Sequence, residues 1–141
     1  MRGEQGKDVA LLLLRLALGS VFIAHGLQKL TGMEGTIAFF GSIGFAPWIA
    51  WFVAIVETTT GAMMIAGFMT NIAAWLMAII LIVAIAKVHI THGFIGKGGY
   101  EYQLFMMLTA IAVAHLGHGK YALCKHKEGE RCGSCDSCVS K

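Results

Sequence analysis

Four long apolar stretches constrain this chain more than any other feature. They run over about 9–30, 48–68, 71–93 and 101–119, and a helix needs about 20 mostly apolar residues to cross a bilayer. The chain is 57% hydrophobic and 13% charged, whereas soluble domains carry about 25% charged residues. A soluble domain with a buried core is therefore the weaker reading. The 141 residues leave room for one membrane domain over 1–120 and a short tail over 121–141. Eighteen glycines and a single proline suit helices that approach closely through small residues. The expected fold is an all-α integral-membrane four-transmembrane-helix bundle.

The opening MRGEQGKDVALLLL imitates a signal peptide, but its apolar run exceeds the roughly 7–15 residues of such a segment and Arg15 interrupts it. It reads as an uncleaved span. Between the first two spans, residues 35–43 are apolar but too short to cross, which predicts a short interfacial helix, with Pro47 and Trp48 marking entry to the second span. Met69, Thr70 and Asn71 join the second and third spans as antiparallel neighbours, and a glycine-rich loop precedes the fourth. Arg2, Lys7, Lys120, Lys125, Lys127 and Arg131 fall on the side of the termini, against Lys29 and Lys97 opposite. The positive-inside rule then puts both termini in the cytoplasm and the chain in the cell membrane as a multi-pass protein. A net charge of +3 is too small to argue for nucleic acid as a partner; the lipid bilayer is the implied one.

Ionisable residues inside the spans are the functional candidates, because such groups are costly there and must be paired or serve a site. Arg15, His25 and Lys29 project from one side of the first span, Lys29 roughly 40° and His25 roughly 80° round from Arg15 at 100° per residue. Glu57 sits near the middle of the second span. Its depth falls between Arg15 and His25, so Arg15 is the expected ion-pair partner and His25 the second choice. Such a pair either locks two helices in register or serves a proton or redox site. Lys29 has the further option of reaching the outer surface. His89 and His92, like His115 and His118, stand at i, i+3 on one helix face. The two pairs lie at opposite ends of antiparallel helices, so they cannot share one site. The outer pair shares its level with His25 and Glu101, and this cluster would bind a metal, relay protons, hydrogen-bond a quinone head group or simply meet interfacial water.

The tail is a different kind of sequence. Cys132, Cys135 and Cys138 follow C-x2-C-x2-C spacing, with Cys124 upstream. On a cytoplasmic side disulfides are disfavoured. Four thiolates there would hold zinc or an iron–sulfur cluster, carry out thiol redox chemistry, or remain a disordered reduced tail; an inverted topology would favour disulfides.

Over residues 14–121 the chain resembles the DoxX family of small four-span membrane proteins. The resemblance rests on Arg15 with Gly19, on His25-Gly26 and Lys29, on Phe40 with Gly44, and on Glu57 with Gly61 and Gly67. It continues through Thr70, Ala73-Ala74, His89, Gly93-Phe94 and Glu101 to Gly117-x-Gly119. Asn71 departs from the family pattern, and the Cys tail is no part of it. The resemblance implies a four-helix membrane bundle associated with sulfur, thiol or quinone redox chemistry, since relatives include the membrane subunits of thiosulfate:quinone oxidoreductase. The leading expectation is a membrane redox component, an oxidoreductase subunit coupling thiol or reduced-sulfur chemistry to the quinone pool. Arg15, His25 and Glu57 would form its polar core, Lys29, His89, His92 and Glu101 would serve quinone binding, and the Cys tail would be an accessory electron or metal site. A non-catalytic scaffold docking a soluble redox enzyme on the cytoplasmic side, a small transporter, and a homo-oligomer are the other assemblies this pattern allows.

Overall fold

The computed structural model describes residues 2–123, and these are helical with short connections. Cys124, Cys132, Cys135 and Cys138, with the expected metal or thiol site, lie outside the described residues. Five α-helices follow in order: α1 (Arg2–Thr31), α2 (Met33–Ser42), α3 (Pro47–Ala66), α4 (Thr70–Ala84) and α5 (Glu101–Leu116). α4 runs on through a π turn at Ile85–His89 and a 3-10 turn at Ile90–His92. By length and apolarity three segments can cross a membrane: Gly3–Thr31, Pro47–Ala66 and Thr70–His92; α5 is apolar but shorter, at 16 residues. α1 begins seven residues before the apolar stretch that predicts it, and the short helix expected over 35–43 is α2.

Helix ends follow local chemistry. Pro47 opens α3, where its missing N–H is no loss, after an extended Ala46. α3 closes at Gly67, whose φ of 75° suits glycine, and Met63 O accepts the N–H groups of both Gly67 and Phe68. The tight turn that follows sends α4 back alongside α3.

Each helix buries one stripe at helical spacing. On α1 the stripe is Leu11, Arg15, Leu18 and Phe22; on α3 it is Ala50, Ala54, Glu57, Gly61 and Met64. α4 turns Ala73, Ala74, Met77, Ala78 and Leu81 inward, and α5 turns Met106, Ala110 and Val113. The inner face is thus largely small, while large apolar side chains point out: Trp48 is 67% exposed and Phe105 70%. In water that surface would be a severe liability; in lipid it is the expected exterior, and close small-residue packing is what holds such helices together. α1 packs mainly on α3 and α4 mainly on α5, with the two pairs meeting through α3–α4 and α1–α5. A smaller apolar cluster, Met33 and Phe40 against Ala50 and Ala54, seats α2 on the start of α3.

Candidate functional site

The α1–α3 crossing is glycine-lined. A Cβ on Gly61 would stand 2.8 Å from Gly19 O and 2.9 Å from Ile23 N, and one on Gly26 would stand 2.8 Å from Thr58 N and 3.0 Å from Ala54 O. This contact fixes the helix register and brings Glu57 level with the turn of α1 that contains His25. Helical side chains tilt toward their own N-terminus, so the residue that reaches Glu57 is the lysine one turn further on. Lys29 Nζ lies 2.5 Å from Glu57 Oε2. The expected Arg15–Glu57 pair is therefore not formed, nor is His25–Glu57. Lys29 does not snorkel away: it is the counter-ion of the buried carboxylate.

Arg15 has another task. It is 1% exposed, and its guanidinium donates to four backbone carbonyls. Nε binds Met64 O at 3.1 Å and Nη2 binds Ile65 O at 3.1 Å, while Nη1 binds His118 O at 2.7 Å and Tyr121 O at 2.9 Å. Met64 and Ile65 lie in the last turn of α3, where carbonyls lack helical partners and the dipole favours a cation. Arg15 thus caps α3 and ties the chain after α5 to the same end. Leu123 N donates to Ala66 O, and Lys120 N to Asp8 Oδ1, completing that closure. Gly67 leaves room for it, since a Cβ there would collide with Arg15 Nη2 and Ala122.

Glu57 faces a crevice into which four helices each send a residue. α1 supplies Phe22 and His25, α3 Glu57, α4 Ile80 and Leu81, and α5 Tyr102, Gln103 and Met106. It is a small, half-open crevice with a cavity volume of about 80 Å³, below the roughly 300–1,000 Å³ of sites that enclose a drug-sized ligand. The walls are apolar and the polar groups few. Lys29 reaches Glu57 from a separate groove, beside Gln28, Gly32 and Thr36.

His25 is exposed, with Nδ1 2.9 Å from Val21 O. A carbonyl only accepts, so Nδ1 donates, and in a neutral ring Nε2 is the acceptor. His89 is placed by the π turn, the kind of local irregularity that often marks functional sites. Its Nδ1 is 2.7 Å from Gly98 O, and its Nε2 is 3.0 Å from Gln103 Nε2. Gln103 Oε1 is buried and has no hydrogen-bond partner among the described residues.

The outer histidines and Glu101 do not form a metal set. His92 turns its Nδ1 to Val88 O at 3.0 Å, and both it and Glu101 are exposed. Among the described residues no three of His, Cys, Asp or Glu are grouped as a metal set. His89 and His92 fall in consecutive π and 3-10 turns, and both lie against Gly98: His89 through the bond to its carbonyl, and His92 with its ring 3.3 Å from where a Cβ on Gly98 would stand. At the other end His115 stands edge-on to Trp75, with ring centroids 5.8 Å apart. Gln103 is the site residue that a survey of ionisable groups misses. Its signal is positional: it lies three and seven residues before the buried Met106 and Ala110, a polar amide on the inward stripe of an apolar helix.

The DoxX family model matches residues 10–90, which takes in Arg15, His25, Lys29, Glu57 and His89 and ends before Gln103. "Putative oxidoreductase CatD" of Bacillus subtilis (strain 168) is 40% identical over 116 residues, 82% of this chain and 85% of that protein. No solved structure matches.

Proposed function

This chain belongs to the DoxX family, and from that premise we propose that it is a membrane redox component that binds a quinone head group in the crevice beside Glu57. The observation that carries this reading is the convergence of four helices on one crevice, apolar in its walls and lined by His25, Glu57 and Gln103. An apolar slot with few polar groups suits a flat aromatic head group that arrives from the bilayer, and the relative's printed description as an oxidoreductase agrees with a redox role.

A quinone would supply the chemistry: it takes up two electrons and two protons as two thiols become a disulfide, or as an equivalent reduced-sulfur donor is oxidised. The chain's own residues orient and exchange protons. Phe22, Ile80, Leu81 and Met106 would hold the ring and exclude water. His25, whose exposed ring lines the crevice and donates Nδ1–H to Val21 O, would pass protons between solvent and crevice. Glu57, paired with Lys29, would act on the other side of the head group. Arg15 would have no chemical part, being engaged with four carbonyls.

In this reading α5 is a fourth span. Sixteen residues at 1.5 Å each reach about 24 Å, and the flanking turns would cover the rest of a core about 30 Å thick. α2 would lie at the interface, both termini would face the cytoplasm, and the Cys tail would hold its metal or exchange thiols there.

The test is binding of decylubiquinone to the purified full chain. Glu57→Gln and His25→Ala should each weaken it about tenfold or more while the protein remains folded. Unchanged affinity in both variants would reject the site.

A further inference from the structure

We propose that the crevice is built to hold the reduced, hydroxyl-bearing form of its ligand, a hydroquinone, in preference to the oxidised quinone. The inference rests on the quinone reading above and deepens it, and it comes from the sense of the hydrogen bonds that line the site.

His89 fixes the orientation of Gln103. Gly98 O can only accept, so His89 Nδ1 must donate to it. In a neutral ring Nε2 then keeps its lone pair, and the Gln103 group 3.0 Å from it is the amide NH2. The amide cannot turn round without setting its carbonyl oxygen against a lone pair. Gln103 Oε1 is thereby left as an acceptor, buried with no partner among the described residues, on a residue that lines the crevice. His25 repeats the arrangement. Its Nδ1 donates to Val21 O, which leaves Nε2 as an acceptor. Glu57 is a carboxylate in an ion pair, and its lysine approaches from the neighbouring groove rather than from the crevice. The side-chain polar atoms offered to a ligand are therefore mainly acceptors, apart from the second N–H of the Gln103 amide and the Tyr102 hydroxyl, which works in either sense.

A quinone also offers only acceptors, its two carbonyl oxygens. Bound here it would set acceptor against acceptor and leave Gln103 Oε1 unpaired, a costly state for a buried group. A hydroquinone offers two O–H donors, one for Gln103 Oε1 and one for Glu57 or His25. One such hydrogen bond gained in place of an unpaired acceptor corresponds to about tenfold in affinity. By linkage, tighter binding of the reduced form makes the bound quinone a better electron acceptor, which suits a site that takes electrons from thiols.

The experiment uses the full chain in nanodiscs, with empty nanodiscs to correct for partition into lipid. Anaerobic equilibrium binding is measured for decylubiquinone, for its hydroquinone, and for the hydroquinone with both hydroxyls methylated. The expected result is about tenfold tighter binding of the hydroquinone than of either other ligand, with the preference lost in Gln103→Met through weaker hydroquinone binding. The methylated ligand makes the comparison on the unmodified protein, so the test does not depend on the variant folding. Equal affinity for hydroquinone and quinone, or tighter quinone binding, overturns the selectivity and leaves the quinone site standing. Binding of neither form above empty nanodiscs overturns both.

Discussion

Lys29 and Glu57 meet at 2.5 Å across the α1–α3 interface, with side-chain exposures of 24% and 8%. The asymmetry in burial predicts an asymmetry in mutation. Lys29→Met strands a largely buried carboxylate, and breaking a buried pair this way costs about 3–5 kcal/mol. Glu57→Gln leaves a lysine that can swing toward solvent, so its cost should be smaller. Thermal unfolding in detergent should rank Lys29→Met as the more damaging, and the double variant should recover part of the loss. If Glu57→Gln is the worse of the two, the burial argument is wrong.

Arg15 is predicted to be a structural clamp. Lysine offers a point charge with three donors and cannot span four carbonyls as a planar guanidinium does. Arg15→Lys should lower stability by about 2–3 kcal/mol and expose the 117–123 segment to limited proteolysis, since two of the four bonds hold His118 and Tyr121. Quinone affinity measured at a temperature where the variant is folded should change little. A selective loss of affinity with normal protease resistance would instead make Arg15 part of the chemistry.

The glycines of the α1–α3 crossing supply an internal control. Gly61→Ala forces a methyl against the backbone of Gly19 and Ile23, whereas a Cβ on Gly41 meets nothing within 4 Å. Over-packing costs about 1–3 kcal/mol, and the added separation should also loosen the Lys29–Glu57 pair. Gly41→Ala should be close to neutral. Equal unfolding temperatures for the two variants would show that the helices do not meet as described.

Gln103 should matter less to stability than the other polar residues. Gln103→Met removes a buried acceptor that has no partner but also the amide's hydrogen bond to His89, so the two effects offset and stability should change by less than about 1 kcal/mol. A clear loss of stability would mean that the amide serves the fold.

The membrane architecture was legible in the sequence because apolar length and helical period are properties of single segments. Arg15, Glu57 and Lys29 were legible as residues needing partners for the same reason: a charge in an apolar stripe stands out without any knowledge of its neighbours. Their pairing was not. It depends on helix register, set by the close approach at Gly19, Gly26 and Gly61, and on the backward tilt that lets Lys29 reach Glu57 ahead of Arg15. The outer histidines show a local limit: two consecutive departures from α geometry, at Ile85–His89 and Ile90–His92, are not visible in the spacing, and no metal set of three forms among the described residues. Gln103 carried no charge and so no alarm; its role appears only when His89 and the crevice are seen together.

The central claim is that the crevice between α1, α3, α4 and α5 is the quinone site. Its most direct measurement is photo-crosslinking of the full chain in nanodiscs with an azido-quinone, followed by peptide mapping. Labelling should fall on the segments that carry His25 and Tyr102–Gln103, and excess decylubiquinone should suppress it. Labelling confined to the outward faces of the helices, at residues such as Trp48, Ile79 or Phe105, or labelling that competitor leaves unchanged, would contradict the account.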